Sequence, residues 1–251
     1  MRLLVTLLVL GLVGCSSLPT AVPPATEIAP FSGNWSGREL PDGWQPWLIS
    51  RTKSPTRYEL VVDPARQSVV VRALADKAAS GLAQALDVDP AQRPRLAWSW
   101  RVSHLVEGAD NTDPLAEDSP VRLMLFFDGD KSSLPFKEQV LMETAQMLVG
   151  RELPYATLMY VWENRQPVDT VITNAHTQQV KMIVAGSGSD RLGQWRSIER
   201  DYVADYRRAF GADPGRLIGV GILSDTDNTG QRVEAWYGDI RLLPRRQTAA
   251  N

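Results

Sequence analysis

The chain has 251 residues, a formal net charge of −2 at pH 7, 43% hydrophobic residues and a single cysteine. Acids and bases nearly balance, so no basic face suited to nucleic acid is expected. One cysteine allows no internal disulfide.

The chain opens MRLLVTLLVLGLVGCSS. Arg2 precedes an apolar run from Leu3 to Val13 that is too short to cross a hydrocarbon core of about 30 Å as a helix. Such a run reads as the h-region of a signal peptide. It closes in Leu12-Val13-Gly14-Cys15, which resembles a bacterial lipobox. The resemblance implies removal of residues 1–14 and acylation of Cys15, so the expected partner is a membrane, reached through a lipid anchor. Ser16, where Asp would resemble an inner-membrane retention signal, implies an outer-membrane lipoprotein facing the periplasm. Acylation also removes the only thiol from redox, nucleophilic and metal chemistry. Residues 15–30, rich in Ser, Thr, Pro and Ala, cannot bury enough apolar surface to fold and read as a disordered tether.

Strand patterns then dominate. RYELVVD and SVVVRAL flank a turn at Asp63-Pro64. RLAWSWRV sets Leu96, Trp98, Trp100 and Val102 on one face, and PVRLMLFFD alternates Val121, Leu123, Leu125 and Phe127, the period of half-buried strands. ATLMYVW, QVKMIVAG, RLIGVGILS and VEAWYGDIRLL complete the set. Two helices are predicted. FKEQVLMETAQMLVG places Val140, Leu141, Thr144, Ala145 and Leu148 on one stripe, with Gly150 as C-cap. DYVADYRRAFG places Tyr202, Tyr206 and Phe210 on another, ended by Gly211. A shorter helical patch is ASGLAQALD. Many short strands without alternating helices predict a mainly β, antiparallel β-sandwich with two or three short helices. One domain is expected over residues 31–243, with a flexible tail at 244–251.

The blocks LAWSWRV, DSPVRLMLFFD, LMYVW, ERDYVADYRRAFG and GILSDTDNTGQRVEAWYGDI resemble, in order and spacing, the bacterial domain-of-unknown-function family 3047. They span about residues 95–241, and the helix from Phe136 looks like an insertion. The family carries no agreed activity, so the resemblance implies none. The closing hairpin also looks like that of galactose-binding-like jelly rolls, a sandwich many carbohydrate-binding modules use.

Candidate sites follow from residue type. Asp225, Asp227 and Asn228 crowd a turn ending in Gly230, and Asp239 follows on the next strand. The spacing fails as an EF-hand, because Thr229 and Trp236 stand where ligands are needed. Two readings remain: a turn whose Asp side chains bond their own backbone, or a structural Ca²⁺ held by these four. No other cofactor is expected. Trp35, Trp44 and Trp47 sit among Gly, Pro and Asp, where indoles can form a platform for sugar rings; plugging gaps in the fold is the alternative. Asp118, Arg122 and Trp162 could border a concave polar patch, Asp118 and Arg122 otherwise being a surface ion pair. Glu199 to Asp205 reads as a solvated charge run. His104 and His176 lack the company that catalysis needs, and neither G-x-S-x-G nor H-E-x-x-H occurs. The expected function is therefore a non-catalytic module binding a polar ligand such as envelope glycan. The alternatives are a carboxylate-dependent glycan-active enzyme and an envelope assembly or structural partner.

Overall fold

The structure is a computed structural model and describes residues 24–33 and 39–246. The signal peptide, Cys15, the tether up to residue 23 and Trp35 lie outside the described residues.

In chain order the elements are β1 (Trp44–Leu48), β2 (Arg57–Asp63), β3 (Ser68–Asp76), β4 (Ala79–Val88), β5 (Arg95–Val102) and β6 (Ser119–Phe127). There follow α1 (Phe136–Val149), β7 (Ala156–Glu163), β8 (Val171–Thr173), β9 (Val180–Ser187), β10 (Arg196–Asp201) and α2 (Tyr202–Phe210). The chain closes with β11 (Leu217–Asp225), β12 (Arg232–Tyr237) and β13 (Arg241–Leu243).

These strands build two sheets. One is seven-stranded, in the order β1-β4-β11-β6-β7-β9-β8; the other runs β10-β5-β12-β3-β2, with β13 also on β5. From β3 to β6, and again from β10 to β12, successive strands alternate between sheets, as in a jelly roll. The strand pairs are antiparallel except β7 with β9. The short edge strand β8 lies in the connection between those two. At the other end of the sheet, β1 carries Pro46, which a sheet tolerates only at an edge or bulge.

Period-two patterning made the sandwich. Leu96, Trp98, Trp100 and Val102 of β5 are all buried, facing Val121, Leu123, Leu125 and Phe127 of β6 in one core. Trp98 and Trp100 meet edge to face, ring centroids 5.5 Å apart. Each such leucine or phenylalanine stabilises the fold by about 1.5–3 kcal/mol on burial.

The structure changes three expectations about elements. ASGLAQALD is strand β4, not a helix. Its good helix formers are overridden by alternation: Leu82, Gln84, Leu86 and Val88 are buried while Ala85 and Asp87 are exposed. β6 is buried at all nine positions instead of on one face, because its second face is covered as well. In α1 the inward positions are Glu138, Leu141, Met142 and Ala145, so the expected stripe is turned. Phe136, Val140, Met147 and Leu148 face outward and are exposed. The folded unit also starts before residue 31. Ala25 pairs with Leu86, and Ile28 lies in the core. At the other end Arg246 pairs with Glu199 at 2.8 Å, so the tail expected from 244 is held at least that far.

α2 follows the sequence signals. Tyr202 and Tyr206 are buried, Gly211 caps the C-terminus with φ 75°, and the Asp201 carboxylate accepts from the Ala204 N–H at 2.9 Å. Asp201→Ala is expected to lower stability by about 1 kcal/mol, read as a shift in the urea midpoint; an unchanged midpoint would show that the cap adds nothing. The charge run before this helix is less solvated than expected. Asp205 is buried and receives two bonds from Arg200 and one from the Tyr160 hydroxyl, each 2.8 Å.

Candidate functional site

The outer face of the seven-stranded sheet carries a cleft of about 380 Å³, roofed by α1. Its floor is Met124 and Phe126 of β6, Met159 of β7 and Leu223 of β11. Leu141, Met142 and Ala145 of α1 form the roof. Glu138 ties the helix down: its carboxylate accepts from Thr177 Oγ1 at 2.6 Å and from the Gln178 N–H at 3.1 Å. Asn174, His176, Thr177 and Gln179 line the polar wall.

One end of the cleft is ionic. Arg122, only 2% exposed, donates from Nε to Asp225 Oδ1 at 3.1 Å. Its Nη1 lies 3.6 Å from Glu117 Oε1, and Nη2 donates to the Glu117 carbonyl at 2.9 Å. Asn174 Nδ2 donates to both Glu117 carboxylate oxygens, at 3.0 and 2.8 Å. Burial lowers the basicity of Arg122, but the carboxylates of Asp225 and Glu117 outweigh it and the net shift is upward. Burial also pushes the Asp225 carboxyl up to about 6, Arg122 pulling against it and the Asp118 charge adding to it.

Asp118, Asp225 and Asp227 place one carboxylate oxygen each within 4.8 Å of one another. All three already have partners. Asp118 accepts from the Thr229 N–H at 2.7 Å, from Thr229 Oγ1 at 2.6 Å and from the Asn228 N–H at 3.3 Å. Asp227 pairs with Lys53 at 2.6 Å. The acidic turn is thus bonded to β6, to the chain preceding it and to Lys53, and the bonds of its Asp and Asn side chains run there instead of, as expected, to its own backbone. Asp239 is elsewhere: it accepts from the N–H and hydroxyl of Ser32, at 2.9 and 2.6 Å. Asn228 supplies its N–H to Asp118 and its side-chain amide to the Pro114 carbonyl.

The expected site residues therefore separate. Arg122 borders the cleft, but as a buried pair with Asp225 instead of a surface pair with Asp118. Trp44 and Trp162 belong to the core, at 4% and 1% exposure, so Trp44 is no sugar platform and Trp162 borders no polar patch. Trp44 Nε1 donates to the Ala29 carbonyl, and Trp162 Nε1 to that of Gly188. Trp47 lines the cleft, one face stacked on Phe126 with centroids 4.6 Å apart.

Sequence reasoning missed Arg151. Its guanidinium sits 3.2 Å from the Trp47 ring centroid, at the mouth of the cleft. Nε is buried without a hydrogen-bond partner, and desolvation lowers the group to about 10. Neighbouring Glu152 is taken by Lys131 at 2.6 Å. Among the described residues no carboxylate pairs with Arg151. The only advance signal was a basic residue directly after a Gly-capped helix, which is common for other reasons.

A family profile described as "Protein of unknown function (DUF3047)" matches residues 42–241. The chain belongs to that family. Comparison with curated proteins found no match. Among solved structures, this DUF3047 domain is similar to the endo-1,4-beta-glucanase CelB2, a cellulase, at 12% identity and TM-score 0.45, covering 88% of this chain and 100% of the other. It is also similar to endoglucanase 3 of Trichoderma harzianum (9% identity, TM-score 0.39, covering 89% and 98%). The CBM22-1 xylan-binding domain of Paenibacillus barcinonensis Xyn10C is a third (10% identity, TM-score 0.35, covering 90% and 100%). All three scores lie below 0.5. Among the described residues of the DUF3047 domain no helix is long and apolar enough to cross a membrane.

Proposed function

We propose that this protein is a lipoprotein of the outer membrane, facing the periplasm, whose sandwich is a non-catalytic module binding a polar envelope ligand of glycan type. The observation that carries the binding reading is the cleft beneath α1, where an apolar floor of Met124, Phe126, Met159 and Leu223 meets the amide and hydroxyl groups of Asn174, Thr177 and Gln179. Pockets that combine apolar area with a few convergent polar groups are the usual form of small-ligand sites. The anchor rests on the lipobox at Cys15.

The non-catalytic part rests on how the acids of the cleft are engaged. Glu117 and Asp225 are both held in ion pairs with Arg122, at 3.6 and 3.1 Å. Of the two histidines, His104 is bonded to Ser103 and the Arg232 carbonyl and does not line this cleft. Titration with peptidoglycan fragments and envelope polysaccharides is expected to give saturable binding without turnover. Silence across that panel would sink the glycan reading. Cys15→Ser is expected to move the protein from the membrane to the soluble periplasmic fraction.

A second reading keeps one observation in its favour. Asp225, pushed up to about 6 in the same cleft as Glu117, has the acidity of a general acid. Turnover of any envelope glycan that Asp225→Asn abolishes, in a variant still folded, would replace the binding reading with a catalytic one.

A further inference from the structure

We infer that the cleft under α1 takes the alkyl chain of an anionic amphiphile, whose head group Arg151 receives at the mouth. This rests on the proposal that the cleft is the ligand site, and it names the ligand's chemistry.

The cleft holds two environments. Under α1 it is walled by Met124, Phe126, Met159, Leu223, Leu141 and Met142. Flexible thioethers and leucines suit an unbranched chain, since they adapt to its shape, while the polar wall of Asn174, His176, Thr177 and Gln179 stands to one side. The 380 Å³ available lies within the roughly 300–1,000 Å³ of small-molecule sites. Beyond Trp47 and Arg151 a second cavity of about 520 Å³ continues along the sheet. It shares Trp47, Phe126, Arg151, Leu153 and Pro154 with the first, but is bordered by Gln45, Gln84, Asp128 and the Lys131–Glu152 ion pair. The stacked Trp47 and Arg151 therefore stand where an apolar space gives way to a polar one.

Charge complementarity selects the head group. A guanidinium half withdrawn from water, with Nε buried and unsatisfied and no carboxylate partner among the described residues, is costly unless an anion meets it. Its planar donors match a phosphate or carboxylate. Arg51 adds to the same side, its guanidinium lying against Gly150 at the end of α1. At the far end Arg122 is already matched by Asp225 and Glu117, so it does not compete for the head. α1, held at its N-terminal turn by Glu138 and crossing the space with Ala145 inward, closes over the chain.

The test is calorimetric titration of the mature protein below the micellar range. Dodecyl phosphate is expected to bind, dodecanol about 10- to 100-fold more weakly, and inorganic phosphate not measurably, the gap being one charge-assisted contact. Arg151→Gln should bring dodecyl phosphate down to the level of dodecanol and leave dodecanol unchanged. Ala145→Trp, which fills the space from the inserted helix without touching the sandwich core, should abolish both while the thermal midpoint holds. Equal binding of dodecyl phosphate and dodecanol, or an Ala145→Trp protein that binds as before, would overturn the inference. Binding of a neutral disaccharide without binding of dodecyl phosphate would overturn it too, and would leave the module reading standing.

Discussion

Arg122→Met is expected to destabilise the fold by about 3–5 kcal/mol, the usual consequence of removing one member of a buried ion pair. Arg122 is 2% exposed and stands between Asp225 and Glu117. Its loss leaves two buried or half-buried carboxylates facing each other across an apolar side chain. The effect should depend on pH, and the sign follows from Asp225. Its folded-state value of about 6 lies above the ordinary 3.8, chiefly through burial. A group raised in this way favours the folded state fully below its unfolded value and loses that contribution as pH rises through the folded one. Without Arg122 the carboxyl rises further, so the loss extends to higher pH. Urea unfolding should therefore show a smaller penalty for Arg122→Met at pH 5 than at pH 8. The double variant Arg122→Met/Asp225→Asn should recover part of the loss at pH 8, because it removes the stranded charge. A penalty equal at both pH values, with no recovery in the double variant, would mean that packing alone explains Arg122.

The second large effect is expected at Gly81. A methyl group there would lie 2.2 Å from the Ile222 carbonyl oxygen and 3.3 Å from its carbon. That oxygen belongs to β11, paired inside the seven-stranded sheet with β4, one strand in from the β1 edge. Backbone cannot swing aside as a side chain can, so the pair must separate. Gly81→Ala should cost about 3 kcal/mol or more, at the upper end for overpacking. Gly221→Ala gives the contrast, since its nearest obstacle, at 2.7 Å, is the terminal Cε of Met124. A smaller loss, about 1–2 kcal/mol, is expected there. Gly33→Ala meets only Pro30 Cγ at 3.7 Å and should be neutral. If Gly81→Ala unfolds no earlier in urea than Gly33→Ala, the close approach of β4 and β11 is not as described.

How far the sequence reached can be judged from single elements. β5 and α2 were legible because each has one face in the core, so their periods survive in the residues: Leu96, Trp98, Trp100 and Val102 in one, Tyr202 and Tyr206 in the other. β4 was not, because its inward set includes Gln84. A polar residue belongs there only because its amide accepts from the Ala29 N–H and donates to the Glu27 carbonyl, partners more than fifty positions away. The candidate site was legible in part. Arg122 was named as a border of a polar patch, but the register of β6 on β11 sets it opposite Leu223, two residues from Asp225, its partner 103 positions away. No local pattern encodes that pairing. Trp44 was misjudged because an indole among glycines and prolines looks exposed until the segment around it is packed, and Trp162 because β7, like β6, is covered on both faces. Arg151 was invisible, since its isolation follows from where Glu152 and Lys131 turn.

The ends of the larger sheet bear on how copies of this chain meet. Pro46 interrupts the row of donors along β1, and β8 presents only three residues. Both borders are thus blunted against ladder extension by another polypeptide, the route by which crowded sandwiches zip into aggregates. Side-by-side contact between copies at this sheet is thereby steered toward side chains instead of a shared hydrogen-bond ladder.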